Sequence, residues 1–191
     1  MTEAELTRAL ANAGLEYLGT ADRDACLLPP RLAAYASSTA ADGDEWAVSV
    51  ENNAQDFQQR VNHEWYMLSA HQGLFETGRP EFLLAVPDPD RHGDTWWARV
   101  ALGAEWDLAG SGAAAHVTGH GWGHPEFLML SRTGDVVVQG TQGQEWTDVV
   151  ALRNPHRISS FRAMGVSLLE NTSITPPTRE AVERWLAWTA A

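Results

Sequence analysis

From residue 81 onward the sequence breaks into short apolar or β-branched runs set apart by Gly, Pro and Asp, at 82–86, 96–102, 114–118, 127–130, 136–139 and 146–152. Runs of this length between turn residues read as strands. Six in succession commit this half of the chain to a sheet built largely from hairpins, because tight turns join antiparallel neighbours. Arg132-Thr133-Gly134-Asp135 lies between two of the runs as such a turn, with a glycine available for positive φ.

Helical spacing takes over at the two ends and once inside. Thr2 and Glu5 stand in the capping-box relation, and Leu6, Leu10, Ala13 and Leu18 follow near helical spacing, which predicts an N-terminal amphipathic helix. Residues 19–43 hold Gly19, Pro29, Pro30 and Gly43 and read as a loop with a helical turn around 31–36. Trp46, Val48 and Val50 alternate along a half-buried strand at 45–50. Between 54 and 71, Phe57, Val61, Trp65 and Leu68 mark one helical face, with Gly73 as its stop. At the C-terminal end Thr175 can cap, Pro176 fits the first helical position, and Val182, Trp185, Leu186 and Trp188 follow on one face. The expected fold class is α+β: a mostly antiparallel sheet of six or seven strands, an inner helix, and N- and C-terminal helices, in one domain spanning 1–191.

A short element occurs twice. Gly78-Arg79-Pro80-Glu81-Phe82-Leu83-Leu84 returns 45 residues later (125 − 80) as Gly123-His124-Pro125-Glu126-Phe127-Leu128-Met129, identical at five of seven positions. Each copy leads towards a tryptophan-headed run, at 97–102 and 146–152. The reading is a candidate internal repeat of 78–102 and 123–152, in which proline closes a turn before an apolar strand enters the sheet.

Charge narrows the partners. The 191 residues carry 13 basic against 25 acidic groups, a formal net charge of −12, which repels phosphate backbones and anionic lipid heads. No apolar run approaches the roughly 20 residues that span a bilayer. Nucleic acid and membrane are therefore not expected partners; a basic protein is. All 13 basic residues are arginine, which removes Schiff-base lysine chemistry and a Walker-type phosphate lysine. The single cysteine, Cys26, admits no intramolecular disulfide, and the acidic start lacks the basic and apolar regions of a signal peptide, so the expected compartment is the cytoplasm.

Chemistry-bearing residues cluster without forming a known motif. His116, His120 and His124 would make a zinc-holding stripe on a helix, but Gly119, Gly121, Gly123 and Pro125 argue against one. On an extended strand the outer two would lie more than about 25 Å apart. A metal site therefore needs the glycine loop to fold back on itself, and the expectation is no cofactor, with zinc as the alternative. Gly110-Ser111-Gly112-Ala113-Ala114-Ala115 matches a dinucleotide fingerprint in letters but lacks its βαβ context, and reads as a flexible loop.

Nine tryptophans are the most unusual compositional feature. Trp46, Trp65 and Trp185 lie on apolar stripes and are expected in the core. Adjacent Trp96 and Trp97 must leave a strand on opposite faces, and Trp106 and Trp122 adjoin glycine loops, so these four are candidate recognition residues. Asp88, Asp90, Asp94, Glu105 and Asp107 supply an acidic rim near them. Acids around exposed indoles suit capture of a basic protein, since complementary charge speeds encounter and buried aromatics slow release. The functional expectation is thus a non-catalytic acidic protein that binds a macromolecular partner, of the immunity-protein, inhibitor or regulatory-adaptor type. The alternative is a small enzyme or ligand-binding protein whose pocket is lined by these tryptophans and histidines, with or without zinc.

Overall fold

A computed structural model of the chain describes residues 1–39, 45–76, 78–89, 91 and 94–189. Among these, seven strands form one antiparallel sheet: β1 (Leu15–Thr20), β2 (Glu45–Glu51), β3 (Glu81–Pro87), β4 (Thr95–Leu102), β5 (Phe127–Leu130), β6 (Val136–Gln142) and β7 (Trp146–Arg153). Their order across the sheet is β1-β4-β3-β5-β6-β7-β2. Six α-helices flank it: α1 (Glu3–Asn12), α2 (Pro30–Ala33), α3 (Ala36–Thr39), α4 (Phe57–Gln72), α5 (Ser159–Glu170) and α6 (Pro176–Trp188). The architecture is α+β, as the strand and helix periods require.

Both faces of the sheet are covered, which explains why the strands read as continuous apolar runs. Phe82, Leu84, Met129, Val138 and Val149 pack under Leu6 and Leu10 of α1 and Trp65 and Leu68 of α4. Their neighbours Leu83, Leu130, Val137, Val150 and Leu152 pack on the opposite side under Phe161 and Leu168 of α5 and Val182 and Trp185 of α6. An antiparallel strand with one wet face would alternate instead.

Three elements depart from expectation. α1 stops at Asn12, and Leu18 lies in β1, the sheet's edge strand beside β4. Gly14 turns the chain there with φ +73°, and a Cβ on it would stand 2.0 Å from the Glu105 carbonyl oxygen, so only glycine permits this close return of the chain. Residues 114–118, expected as a strand, form no strand. The preceding Leu108–Gly112 is a π-helical turn, held by the Asp107 carboxylate on the Gly110 and Ser111 amides and by the Asn62 side-chain carbonyl on the Leu108 and Ala109 amides. α5 had no sequence signature because its start, Ile158, offers no capping side chain.

The two repeated elements become β3 and β5, which pair with each other. Leu84 faces Met129, the residue 45 positions later that it matches in the repeat, and Leu83 faces Leu130. Their follow-on strands are not equivalent, since β4 pairs with β3 but β7 pairs with β6 and never with β5.

Candidate functional site

The β3–β5 ladder is the weakest seam of the sheet. It comprises two residue pairs, whereas β3–β4 and β6–β7 each have seven. The turn before β5 closes on itself. Residues 118–120 run back along 124–126: the Glu126 N–H donates to Thr118 O at 2.9 Å and the His120 N–H to His124 O at 3.0 Å. Gly119 sits at the centre of this bridge, opposite Pro125, where a Cβ would come within 2.1 Å of the His124 carbonyl oxygen. The backbone just before β5 is thereby committed to residues 118–120.

A cleft of about 610 Å³ opens where the ladder ends. Ala85, Val86 and Pro87 line it from β3, and Glu126, Phe127 and Leu128 from β5 and the residue before it. Arg31 of α2 and Thr175 and Thr178 at the start of α6 close one end, with His116 and His120 on the rim. Asp94 also lines it and accepts the Thr175 hydroxyl at 2.7 Å. The polar groups are of both signs and stand beside the apolar Ala85, Val86, Phe127 and Leu128. The volume lies within the usual range for a ligand site, about 300–1,000 Å³.

The glycine loop does fold back, yet it separates the histidines' tasks. His120 Nε2 lies 3.0 Å from Glu126 Oε2 in an exposed pair, 75% and 56% accessible. His124 Nδ1 is 2.7 Å from Gln142 Oε1. His116 is exposed, with a left-handed φ of 59°. Among the described residues no three of His, Cys, Asp and Glu stand close enough together to hold a metal ion.

The tryptophans are redistributed. Trp96 and Trp97 are both buried, their indoles donating to Ala21 O at 3.0 Å and Leu28 O at 2.8 Å, because segments after β1 fold over the start of β4. Trp106 packs against Trp65 and stacks on Tyr66, with ring centres 5.2 and 5.7 Å apart. Of the four, Trp122 alone is exposed, at 62%. Trp46, expected in the core, is 52% exposed on β2, the last strand of the sheet, with its ring 5.6 Å from that of His71 in a T-shaped pair.

The acids are likewise dispersed. Asp88 is buried and takes both guanidinium nitrogens of Arg23, at 2.5 and 2.8 Å, so it is no solvated rim. Burial alone would raise the Asp107 carboxyl, but donors from Asn62, Ser111 and Gly110 outweigh it and hold the group below its ordinary value. Glu105 is exposed on the turn beside Gly14. Asp90 lies outside the described residues. Of the four acids among the described residues, only Asp94 lines the cleft. Sequence reasoning did not reach Arg31, Ala85, Leu128 or Thr178, since they meet only through the splaying of β3 and β5 and the packing of α2 and α6 beside it. The repeat was the one signal in the sequence that pointed to β3 and β5, the strands that line this cleft.

No helix among the described residues is long and apolar enough to cross a membrane. No protein-family model, curated protein or solved structure matches the chain.

Proposed function

We propose that this protein is a non-catalytic cytoplasmic recognition module that binds an extended, basic segment of a partner polypeptide in the cleft between β3 and β5. The observation that carries the reading is the two-pair ladder: β3 and β5 stop pairing and residues of both line the cleft, a place suited to chain added as a further strand. The net charge of −12 supplies the attraction for a basic segment, and Asp94 and Glu126 bring carboxylates to the cleft itself. An inhibitor, immunity protein or adaptor would use such a site. The docking surface therefore differs from the face of loop tryptophans expected from sequence, three of which are engaged in packing. The cleft's volume gives a second reading, a small-molecule site in the same place.

The test is selection from a random decapeptide display library, followed by calorimetry of the enriched peptides. Expected are Arg- or Lys-rich sequences with alternating apolar residues, whose affinity falls at least tenfold in Leu128→Arg and Ala85→Trp and is unchanged in Trp146→Ser on the distant strand β7. Enrichment of no basic sequence overturns the reading.

A further inference from the structure

The two edges of the sheet differ. β1 forms one of them, and its pairing with β4 shifts register between Tyr17 and Thr20, around Gly19 with φ +104°. A break of that kind turns an edge away from further pairing. β2 forms the other edge and is regular, with seven consecutive residues paired to β7 and no shift. Between its terminal glutamates it reads Trp46-Ala47-Val48-Ser49-Val50. Natural edges are guarded by charged residues or proline, and this stretch carries neither.

The backbone completes the template, because an antiparallel ladder bonds alternate residues. Asn52 N–H donates to Glu145 O at 2.9 Å, directly beyond the Glu51–Trp146 pair, so the even residues of β2 bond to β7 and the odd ones turn their N–H and C=O off the sheet. The Glu51 carbonyl accepts the Ala54 N–H at 3.1 Å. The backbone of Ala47 and Ser49 meets no hydrogen-bonding partner among the described residues, and both residues are exposed. Apolar surface gathers at the same edge. Trp46 is 52% and Met67 54% exposed, and Met67 lies one helical turn before His71, whose ring Trp46 meets, so the two flank β2 on its α4 side.

We infer that β2 is a homodimer interface, in which the β2 strands of two copies pair antiparallel about a two-fold axis and join the two sheets into one. The exposed segment is uncharged, so it offers nothing to the basic segment proposed for the cleft, while its free donors and acceptors match those of an identical strand running the opposite way. Register follows from the same residues. Full overlap would set position 45 of one copy against position 51 of the other, glutamate on glutamate, and would need the carbonyl that Ala54 occupies. An axis through Ala47 avoids both. Ala47 then meets Ala47 of the second copy, and Trp46 meets Val48, a favourable pairing of an aromatic with a β-branched side chain. The broken β1 edge stops the assembly at two, and the cleft between β3 and β5 stays open. A strand pair is small against the roughly 1,200 Å² of a stable interface, and the net charge of −12 on each copy opposes contact, so the dimer is weak and tightens as salt screens that charge.

Sedimentation equilibrium of the full chain across about 1–500 μM tests it. A monomer–dimer equilibrium is expected, tighter at about 0.5 M than at about 0.1 M salt. Ala47→Pro removes an N–H that the β2–β7 ladder does not use and should weaken the dimer at least tenfold, with thermal unfolding showing that the fold is kept. Trp46→Glu, at an exposed side chain, should do the same and stands in if proline disturbs the strand. A monomer at every concentration, or a dimer that both variants leave intact, overturns the inference. Register is read by oxidative cross-linking in a Cys26→Ser background, since Cys26 is exposed. Ala47→Cys should form a covalent dimer, its two Cα atoms being about 5.5 Å apart, and Ser49→Cys should not, at about 13 Å. Readier cross-linking of Ser49→Cys overturns the axis at Ala47.

Discussion

Leu84 and Met129 face each other as the last pair of the central ladder, at matching positions of the two repeated elements, and both are fully buried. Met129 also accepts the Trp65 indole N–H on its sulfur at 3.2 Å. Beyond this pair the sheet opens into the cleft, so the residues that hold the seam shut on one side define the mouth on the other.

Met129→Ala should therefore be severe. Both Met129→Ala and Met129→Leu leave the Trp65 N–H without its sulfur acceptor, but only the alanine variant also opens a cavity, so it should lose about 2–5 kcal/mol and the leucine variant about 1–3 kcal/mol. Urea unfolding of the two variants checks the difference.

The Asp107 carboxylate caps the π-helical turn, and its pKa is held down by the donors that face it. A depressed carboxyl adds stability that is present above the unfolded-state value, about 3.9, and is lost as pH falls through the lower folded value. Asp107→Asn keeps an acceptor but not the charge. The variant should be less stable than the native chain at pH 7, and the gap should close below about pH 4. A gap that is constant between pH 7 and pH 3 would contradict the assignment.

Asp88→Asn breaks a pair whose carboxylate is 1% accessible. The expected loss is about 1–3 kcal/mol, because a charge-assisted pair becomes a neutral one while Arg23, 26% accessible and 5.8 Å from the Trp96 ring centre, keeps contact with water. Thermal unfolding followed by tryptophan fluorescence would report both the stability and the altered surroundings of that indole.

Gly140 lies under the Phe127 ring, where a Cβ would approach to 2.4 Å. Gly140→Ala should displace that ring, a wall of the cleft, and cost about 1–3 kcal/mol through overpacking. Peptide affinity should fall with it; unaltered stability and affinity would show that the ring moves freely.

His120→Ala should change stability by less than about 0.5 kcal/mol, since its pair with Glu126 is exposed. Calorimetric melting of the two proteins provides the comparison.

Local pattern was enough for most of the fold. The α4 stripe of Phe57, Val61, Trp65 and Leu68, the 132–135 turn, the Thr2–Glu5 capping box and the Thr175 cap all depend on neighbours within a few residues, and each stands in the structure. Residues 114–118 and α5 were not legible, because the first follow a π-helical turn whose Leu108 and Ala109 amides are held by Asn62, far away in the chain, and the second starts without a capping side chain. The chemistry-bearing residues were misjudged for a related reason. Composition reveals how many indoles and carboxylates exist, not which of them another segment covers. Trp96, Trp97 and Asp88 are buried by chain arriving from residues 21–28.

What the sequence by itself determined is therefore the alternation of strand and helix, the acidity, and the two matching strands at the centre. Only the tertiary structure decided that these strands lie side by side and part after two pairs, and that β2 is left at the edge of the sheet. Those facts depend on contacts between residues far apart in the chain, whose free energies are set by packing and burial and leave no periodic trace in the order of amino acids.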